Sequence, residues 1–444
     1  MRMPPCNLDA EQSVLGSLMI NETAANRIAD ILNPGDFYKK KHGIVYEAML
    51  ELYEKNEPID LVSLANRLEE KGMLKEIGGN TYLTQLVNCV PVASNVVYYA
   101  KTVAKKATLR RLINTATSIV EMGYSQDDDV EKILDSAEQQ LFEVSQQSSR
   151  KDFIPIKNIL EEAFNRIDDL HKNKDALRGV PTGFASLDGV LAGLQKSDLV
   201  ILAARPSLGK TTLALDIMRN VSVKAKLPVA MFSLEMSKDQ LVDRMLSSEA
   251  EVDLWKLRTG KLTDQGEYSD FQRLGDAMGV LSEAPIFIDD SGAANIMQIR
   301  AMARRLQAEQ ELGLIIVDYL QLMESRNSSD NRVQEISEIS RSLKQLAREL
   351  GLPILALSQL SRAVESRSPQ IPRLSDLRES GSIEQDADVV LFIYREDKEN
   401  PESNRKNIAE IHIAKHRNGP VGKAELYFNE RSVKFMDIDR THEQ

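Results

Sequence analysis

Hydrophobic residues in the first part of the chain recur at the three- and four-residue spacing of amphipathic helices. The first such segment follows Asp9 and Gln12, which are placed as a helix-capping pair. Further periodic stretches run from residue 96 to 122 and from 130 to 144. We therefore predict an all-α amino-terminal domain over residues 1–145. The spacing leaves open whether this domain serves docking and assembly or only stability.

A linker with one amphipathic helix is predicted over residues 146–178. The preceding stretch, residues 145–152, is polar and carries no large apolar side chain, as is typical of a linker. An apolar stripe at helical spacing follows, formed by Ile156, Ile159, Leu160, Ala163, Phe164, Ile167 and Leu170. The stripe on this lone helix needs a partner surface, which is either the helix's own domain or a neighbouring subunit.

The pattern changes near residue 180, where short apolar runs rich in β-branched residues begin. The runs span residues 199–203, 229–232, 286–288, 314–317, 354–357, 389–393 and 408–413. Helical patterns separate most of these runs, and strands that alternate with helices form a mostly parallel sheet with helices on both faces. Residues 179–444 are therefore predicted to form an α/β domain.

Composition narrows the class of protein. The chain has 444 residues, of which 42% are hydrophobic and 28% charged, so it is globular and long enough for several domains. Its net charge of -11 excludes nucleic-acid binding through overall charge, and any polyanion site must be a local cluster of Arg and Lys. Cys6 and Cys89 cannot form a disulfide scaffold. With no membrane span or secretory signal in the pattern, we expect a cytoplasmic protein without membrane contact.

A phosphate-binding loop is predicted for residues 204–212, which read ARPSLGKTT, because the segment joins a strand to a helix. Lys210 would bring positive charge to the β- and γ-phosphates, and Thr211 a hydroxyl ligand for Mg²⁺. Backbone N–H groups of the loop and helix start would cradle phosphate oxygens. The segment departs from the usual pattern at Ala204, where glycine is common, so the backbone there must suit a Cβ atom. The further candidate contacts are Ser207, Gly209 and Thr212.

Polar residues end three of the predicted strands, at the edge where a parallel sheet presents its ligand site. Asp318 directly follows the run at 314–317, where its carboxylate could meet Mg²⁺. Glu235 lies just past another strand and could orient and deprotonate the water that attacks the γ-phosphate. Gln359 is placed to hydrogen-bond the γ-phosphate. These three residues and the phosphate-binding loop together predict nucleotide hydrolysis.

The chain resembles the DnaB family of bacterial replicative DNA helicases, and the similarity covers nearly its whole length. The motifs appear in family order: PTGFASLD (181–188), AARPSLGKTTLAL (203–215), FSLEMS (232–237), IIVDYLQLM (315–323), LALSQLSR (355–362), DLRESGSIEQDADVV (376–390) and AKHRNGPVG (414–422). The resemblance implies a RecA-like ATPase domain after the helical domain and linker helix. It further implies a homohexameric ring that uses ATP and Mg²⁺ to move 5′–3′ on single-stranded DNA at the replication fork, with primase and a helicase loader as partners.

The same resemblance assigns roles to residues outside the loop. Lys415 and Arg417 match a basic pair that acts on the nucleotide of the next subunit, and Arg244 matches a nucleotide-contacting arginine. The segment containing Arg378, Glu379 and Gly381 matches a loop that tracks single-stranded DNA. Arg378 and the backbone near Gly381 would hold phosphates, and Glu379 would position Arg378 or donate its N–H group.

Two other functions are open to a chain with these motifs. One is a recombinase-like or regulatory ATPase that binds DNA without unwinding it. The helical amino-terminal block and the linker helix favour the helicase over this alternative. The other is a loader or scaffold with a vestigial nucleotide site, and the joint presence of Lys210, Glu235, Asp318 and Arg417 opposes it.

Overall fold

The computed structural model describes residues 3–21, 23–90, 95–124, isolated helical positions between 130 and 144, 156–172, 177–266, 269–292, 295–324, 332–377, 381–400 and 402–438. Contacts divide the chain into two compact units, residues 1–158 and 159–444. The division falls within the predicted linker helix, and the domain limits drawn from the sequence stay a prediction.

The described part of the amino-terminal unit is helical, as the spacing predicts. Its helices are α1 (Leu8–Ile20), α2 (Ala24–Ile28), α3 (Lys40–Glu54), α4 (Leu61–Glu70), α5 (Leu74–Ile77), α6 (Gly79–Asn88) and α7 (Val96–Tyr124). Their buried faces form one core that includes Leu15, Tyr46, Leu68 and Leu86. Because α1 and α6 pack closely, a Cβ atom on Gly16 would lie 2.2 Å from the carbonyl oxygen of Leu86.

The start of α1 differs from the sequence prediction. The capping residue is Asn7, whose side-chain oxygen accepts a hydrogen bond from the Ala10 N–H at 3.0 Å. Asp9 and Gln12 lie inside the helix, so their assignment as a capping pair is wrong. Asn7 and Ala10 also have the N-cap spacing, and an Asn side chain accepts from the third residue of a helix as readily as an Asp.

The linker helix forms as predicted and is α8 (Ile156–Lys172). Large apolar side chains on it are exposed: Ile156, Leu160, Phe164 and Ile167 each keep more than half of their surface accessible. Leu160, Ala163, Phe164 and Ile167 line one open surface hollow with Asn165. The side chains of Ile159 and Leu170 lie outside the described residues. The predicted apolar stripe is therefore a real surface feature.

The carboxy-terminal unit is an α/β domain. Its strands are β1 (Leu199–Ala204), β2 (Val229–Ser233), β3 (Ile286–Asp289), β4 (Leu314–Asp318), β5 (Ile354–Gln359), β6 (Val389–Tyr394), β7 (Ile408–His416), β8 (Gly422–Asn429) and β9 (Lys434–Asp437). Its helices are α9 (Ala185–Leu191), α10 (Lys210–Arg219), α11 (Lys238–Ala250), α12 (Leu254–Thr259), α13 (Asp270–Ser282), α14 (Ile296–Gln310), α15 (Arg332–Leu350), α16 (Gly381–Asp386) and α17 (Glu396–Glu399).

Within the described residues these strands form one sheet in the order β3-β2-β4-β5-β1-β6-β7-β8-β9. The strands from β3 to β6 in this order pair in parallel, and β7, β8 and β9 continue the sheet antiparallel. The mostly parallel sheet predicted from the sequence is confirmed, and all seven predicted runs are strands.

Apolar side chains on both faces make the parallel strands continuous hydrophobic runs. In β1, Val200 and Leu202 belong to one core with Leu213 of α10, while Ile201 and Ala203 belong to another. Helices α9, α10 and α11 cover the first face, and α14 and α15 cover the second. Alternate side chains of the strands point to opposite faces of the sheet, and both sets contribute to buried cores. Helices therefore cover both faces, and the parallel part of the sheet lies at the centre of the domain.

The strands β8 and β9 are absent from the sequence prediction. In β8, buried Ala424, Leu426 and Phe428 alternate with more exposed residues. That two-residue period was the available signal, and it is weaker than the continuous apolar runs of the parallel strands because polar residues interrupt it. One of the two added strands, β9, packs against the predicted phosphate-binding loop, as described below.

Among the helices in the described ranges, none is both long enough and apolar enough to span a membrane.

Candidate nucleotide-binding site

The predicted phosphate-binding loop joins β1 to α10. Ala204 is the last residue of β1 and keeps the extended conformation, in register with Gln359 of β5, so the alanine there is compatible with the loop. The sharp turns fall later, at Ser207 with φ 66° and Gly209 with φ 98°. The first turn of α10 then offers backbone N–H groups without intrahelical acceptors. This arrangement forms a cradle for phosphate oxygens.

Gly209 is required for two reasons. Its positive φ lies in the region that favours glycine. A Cβ atom there would also lie 2.9 Å from Cζ of Phe435, which is closer than carbon atoms approach. The aromatic ring of β9 thus lies directly against the loop.

Lys210, Thr211 and Asp318 meet at the head of α10. The Thr211 hydroxyl donates a hydrogen bond to Asp318 Oδ2 at 2.7 Å, and Lys210 Nζ lies 3.4 Å from Asp318 Oδ1. Lys210 Nζ also lies 4.0 Å from the ring centroid of Tyr319. The structure therefore brings together the cation, hydroxyl and carboxylate that the sequence assigned to one site.

The oxygen atoms of this cluster fit a magnesium ion. Mg²⁺ prefers carboxylate and hydroxyl oxygens, which Asp318 and Thr211 supply. Asp318 is fully buried, and its Oδ1 accepts no hydrogen bond from the described residues. The Lys210 ammonium group lies 3.4 Å from this oxygen, and a Mg²⁺ ion or a water bound to it would stabilise the buried carboxylate further.

Glu235 and Gln359 lie on the same edge of the sheet. The Leu234 N–H donates to the Asp318 carbonyl at 2.7 Å, which places Glu235 beside the end of β4. Burial and then the nearby Glu235 charge raise the pKa of the Tyr319 hydroxyl. Gln359 ends β5, between β4 and β1. The parallel strands thus place both residues at the sheet edge from which the phosphate-binding loop emerges, as expected from their positions at strand ends.

Arg244 and Thr212 are in contact beside the loop. Arg244 Nη1 lies 3.4 Å from the Thr212 hydroxyl, at the long end of the hydrogen-bond range. Burial, followed by repulsion from Arg258, lowers the pKa of Arg244, and the charges of Asp318 and Glu235 oppose this shift. The guanidinium group is therefore part of the electrostatic surroundings of the site.

Lys415 and Arg417 lie at the other edge of the sheet. Lys415 of β7 is in register with Val390 near the start of β6, whereas the phosphate-binding loop follows the end of β1. The start of β6 pairs with the start of β1, so about four residues, or roughly 13 Å of strand, separate Lys415 from the loop in the same chain. The structure does not bring this pair to its own nucleotide site.

Local contacts hold this basic pair in place. Lys415 Nζ donates to the Ala387 carbonyl at 2.7 Å and to the Glu384 carbonyl, at the end of α16. The Arg417 N–H donates to the Asp388 carbonyl at 2.8 Å, and its Nη1 lies 3.3 Å from Asp388 Oδ1. The Arg417 side chain keeps 59% of its surface accessible. It is therefore available to another molecule.

The predicted DNA-binding residues are only partly described. Arg378 and Glu379 lie outside the described residues. Gly381 is the first residue of α16, the helix whose last carbonyls accept hydrogen bonds from Lys415.

Tyr319 and Gln321 were missed by the sequence reasoning. Tyr319 faces the Lys210 ammonium group, and Gln321 Nε2 donates to the Ser358 hydroxyl at 2.9 Å. Gln321 Oε1 accepts from the Gln359 N–H at 3.2 Å, so this amide joins the ends of β4 and β5. The sequence pointed to these two residues only by their position just after Asp318. The contacts of Gln321 with β5 depend on which strand lies next to β4, and the sequence pattern does not specify that.

A phosphate cradle at the carboxyl edge of a parallel sheet, facing a buried acid on a nearby strand, defines a P-loop nucleotide hydrolase. Two family models match the chain: the DnaB-like helicase N terminal domain over residues 3–105, and the DnaB-like helicase C terminal domain over residues 179–437. The chain therefore belongs to the family of DnaB-like replicative DNA helicases, which are ATP-dependent enzymes.

Individual relatives agree along the whole chain. The replicative DNA helicase DnaC of Bacillus subtilis (strain 168) is 49% identical over 440 residues, 99% of this chain and 96% of that protein. The replicative DNA helicase DnaB of Geobacillus stearothermophilus is 49% identical over 444 residues, 100% of this chain and 97% of that protein.

Two solved structures share the fold. One is a DnaB-like replicative helicase described with its interactions with primase; it has a TM-score of 0.80 and 34% identity, and the match covers 98% of this chain and all of that one. The other is an isolated ATPase domain with a TM-score of 0.61 and 38% identity, and the match covers 65% of this chain and all of that domain. The RecA-like fold class expected from the motifs is confirmed.

Proposed function

We propose that this chain binds ATP and Mg²⁺ at the β1–α10 loop and uses hydrolysis to move a homohexameric ring 5′–3′ along single-stranded DNA. The observation that carries the proposal is the meeting of Lys210, Thr211 and buried Asp318 within 3.4 Å or less. The ring would unwind the duplex at the replication fork, in the cytoplasm. Family membership supports this reading over an ATPase that binds DNA without unwinding it.

Each residue of the site has a distinct task in the proposed reaction. The backbone from Ser207 to Thr212 binds phosphate oxygens, and Lys210 neutralises the β- and γ-phosphates. Thr211 and Asp318 would hold Mg²⁺, which supplies charge stabilisation for the transferring phosphoryl group. Glu235 orients the attacking water and accepts its proton. Gln359 senses the γ-phosphate, and Arg244 adds positive charge nearby.

Lys415 and Arg417 would complete the site of a second copy. They lie roughly 13 Å of strand from their own loop, which is too far to contact a nucleotide bound there. A guanidinium group delivered from a neighbour stabilises charge on the transferring phosphoryl group and makes hydrolysis depend on the ring. This geometry supports a ring with nucleotide between adjacent subunits.

The linker helix α8 would join neighbouring subunits. Its exposed apolar stripe, which includes Leu160 and Phe164, is unfavourable in water and favourable against another protein surface. We propose that the stripe docks on the adjacent copy, the second of the two partner surfaces considered from the sequence.

DNA would run through the centre of this ring. The segment with Arg378, Glu379 and Gly381 is proposed to grip the phosphates of one strand, with Arg378 as the cation. Phosphate contacts give binding that does not depend on base sequence, as a translocating enzyme needs.

Primase and a helicase loader are the proposed protein partners. The relative of solved structure described above interacts with primase, which supports the same partner here. We place the primase surface on the amino-terminal unit. A truncated chain that starts near Lys151 should lose its response to primase while a folded ATPase domain remains.

A strand-displacement assay on forked DNA tests the proposed function. The protein with ATP and Mg²⁺ should displace the strand only when the fork carries a free 5′ single-stranded tail. Lys210→Ala should abolish both hydrolysis and unwinding, because no other described cation lies as close to Asp318. Vigorous DNA-stimulated hydrolysis by the wild-type protein without any displacement would favour the non-unwinding ATPase instead.

A further inference from the structure

Asp216 is a buried carboxylate beside the nucleotide site to which the proposed reaction gives no task. It lies in α10, six residues after Lys210, and only 1% of its surface is accessible. Burial raises the pKa of this group to about 6, while the Arg219 charge and the Phe435 N–H oppose the shift. Burying a carboxylate is costly unless it is well hydrogen-bonded, so its partners indicate what it does.

The partners of Asp216 come from three elements. The Phe435 N–H of β9 donates to Oδ2 at 2.7 Å. The Ser248 hydroxyl of α11 donates to Oδ1 at 2.8 Å, and Arg219 Nη2 of α10 lies 3.2 Å from the same oxygen. Arg219 Nη1 in turn donates to Glu249 of α11 at 2.6 Å. Asp216 therefore joins α10 to both β9 and α11.

Each joined element touches the phosphate-binding loop or its helix. The ring of Phe435 lies against Gly209, where even one added methyl carbon would come within 2.9 Å of it. Phe428 packs against Phe435 with ring centroids 4.8 Å apart and ring planes tilted by 52°, so the Phe435 ring has little freedom to move away. Arg244, four residues before Ser248 on α11, reaches Thr212. Two contacts with the nucleotide-binding segment thus depend on elements that Asp216 holds.

We propose that Asp216 is a positioning residue for the phosphate-binding loop: by holding β9 and α11 against α10, it keeps Phe435 beneath Gly209 and Arg244 beside Thr212. Asp216 does not touch the nucleotide. It fixes the conformation of the phosphate-binding loop before the nucleotide binds. Because the loop is already ordered, binding does not lose the entropy of ordering it, and affinity is higher. The inference rests on the proposed nucleotide site and adds a residue that the motifs do not include.

The test compares two variants that weaken the connection at different points. Asp216→Asn keeps the side-chain shape and removes the charge. Phe435→Leu keeps the N–H that Asp216 binds and removes the ring. Each variant should raise the KM for ATP and the Kd for a fluorescent ADP analogue about tenfold. A change of this size corresponds to the loss of one charge-assisted hydrogen bond or of one preformed contact. The kcat should change much less, because Lys210, Glu235 and Asp318 are intact.

Asp188→Asn is the matched control. Asp188 is also a buried carboxylate of this unit, and it accepts hydrogen bonds from the N–H and hydroxyl of Thr182 and from the Gly183 N–H. The control should lower the free energy of unfolding without a selective rise in KM. A KM rise in Asp188→Asn equal to that in Asp216→Asn would show a general effect of lost stability and overturn the proposal.

The double variant provides the second comparison. If Asp216 acts through Phe435, the fold-increase in KM of the Asp216→Asn/Phe435→Leu protein should be smaller than the product of the fold-increases in the two single variants. The reason is that the second change removes a contact that the first has already weakened. If Asp216→Asn does not fold, Phe435→Leu with the same control decides. Wild-type KM and Kd in Phe435→Leu would overturn the proposal.

The two failures can be told apart. If the wild-type protein binds the ADP analogue but unwinds nothing, the proposed helicase function fails and the binding comparison still decides the role of Asp216. If unwinding is normal and both variants bind nucleotide as the wild type does, only the positioning role of Asp216 is wrong.

Discussion

Among single residues, the carboxylates of Asp318 and Glu235 differ in burial in a way that suits the two roles we propose for them. Asp318 is fully buried, accepts a hydrogen bond from Thr211 and lies 3.4 Å from Lys210, so its carboxylate is fixed in place. Glu235 is exposed just past the end of β2. A fixed carboxylate suits a metal, while an accessible one can receive a proton from water.

Replacing Glu235 tests this division of roles. Glu235→Gln should bind ATP about as well as the wild type, because binding depends on charges that remain, and should hydrolyse it at least about 100-fold more slowly, in the range lost with a general base. Nucleotide binding by fluorescence and phosphate release measure the two steps. Glu309→Gln, at an exposed position of α14, is the control. Equal loss of binding and hydrolysis would assign Glu235 a structural role.

Asp198 gives a prediction about pH. Burial, reinforced by the Asp388 charge, raises its pKa to about 6, whereas an unfolded Asp titrates near about 3.9. Because the folded pKa is the higher one, protonation favours the folded state, and this contribution to stability grows as the pH falls from about 7 to about 5. It should amount to about 1 kcal/mol.

Urea unfolding at about pH 7 and about pH 5 measures that contribution. On going from about pH 7 to about pH 5, the free energy of unfolding of the wild type should rise by about 1 kcal/mol relative to that of Asp198→Asn. The same pH dependence in both proteins would show that Asp198 does not carry the raised pKa.

Among the elements, α8 carries an apolar stripe that is typical of a buried helix face but is exposed to solvent. Its apolar stripe has the spacing of a buried helix face, and yet Leu160 and Phe164 keep 58% and 71% of their surface accessible. Burying two such side chains contributes roughly 3–6 kcal/mol, enough to favour association of copies at working concentrations.

Charges placed on the stripe should therefore weaken assembly. Leu160→Asp/Phe164→Asp should shift the protein from rings toward smaller species in analytical ultracentrifugation, with the carboxy-terminal unit still folded by circular dichroism. Lys172→Asp also adds negative charge to this helix, at an exposed position outside the hollow that the stripe lines, and should leave assembly unchanged. Rings of unchanged size in the double variant would mean that the stripe docks within its own subunit.

In the molecule as a whole, the separation of Arg417 from its own loop leads us to predict that ATP hydrolysis depends on contact between neighbouring copies. The sheet places Arg417 beside the start of β6 and the loop after the end of β1. Lys210→Ala lacks the loop cation and keeps Arg417, while Arg417→Ala has the opposite defect. Each variant alone should be nearly inactive in ATP hydrolysis.

Mixing the two variants should restore part of the hydrolysis. Some interfaces in a mixed ring join an intact loop from one variant to an intact Arg417 from the other. ATPase activity of the co-refolded or subunit-exchanged mixture measures this recovery. A mixture of Lys210→Ala with the Lys210→Ala/Arg417→Ala protein has no complete interface and serves as the control. Absence of recovery in rings of normal size would show that Arg417 does not act across the interface.

Local sequence was enough to predict the main elements and to select most residues of the candidate nucleotide site. Each parallel strand is buried on both faces, so it appears as a continuous apolar run, and residues such as Asp318 and Gln359 are placed at an edge simply by ending such a run. The phosphate-binding loop is equally local, since its turns, helix start and functional groups lie within residues 204–212. Local patterns of this kind can be recognised without knowing which elements pack against each other.

Contacts between positions distant along the chain could be known only from the fold. The contact between Gly209 and Phe435 joins positions more than 200 residues apart, and it exists because β9 is added antiparallel at the end of the sheet. The distance of Lys415 from its own loop likewise follows from strand order and direction, which periodicity does not encode. Spacing reports which face of an element is buried, and packing alone determines what covers that face.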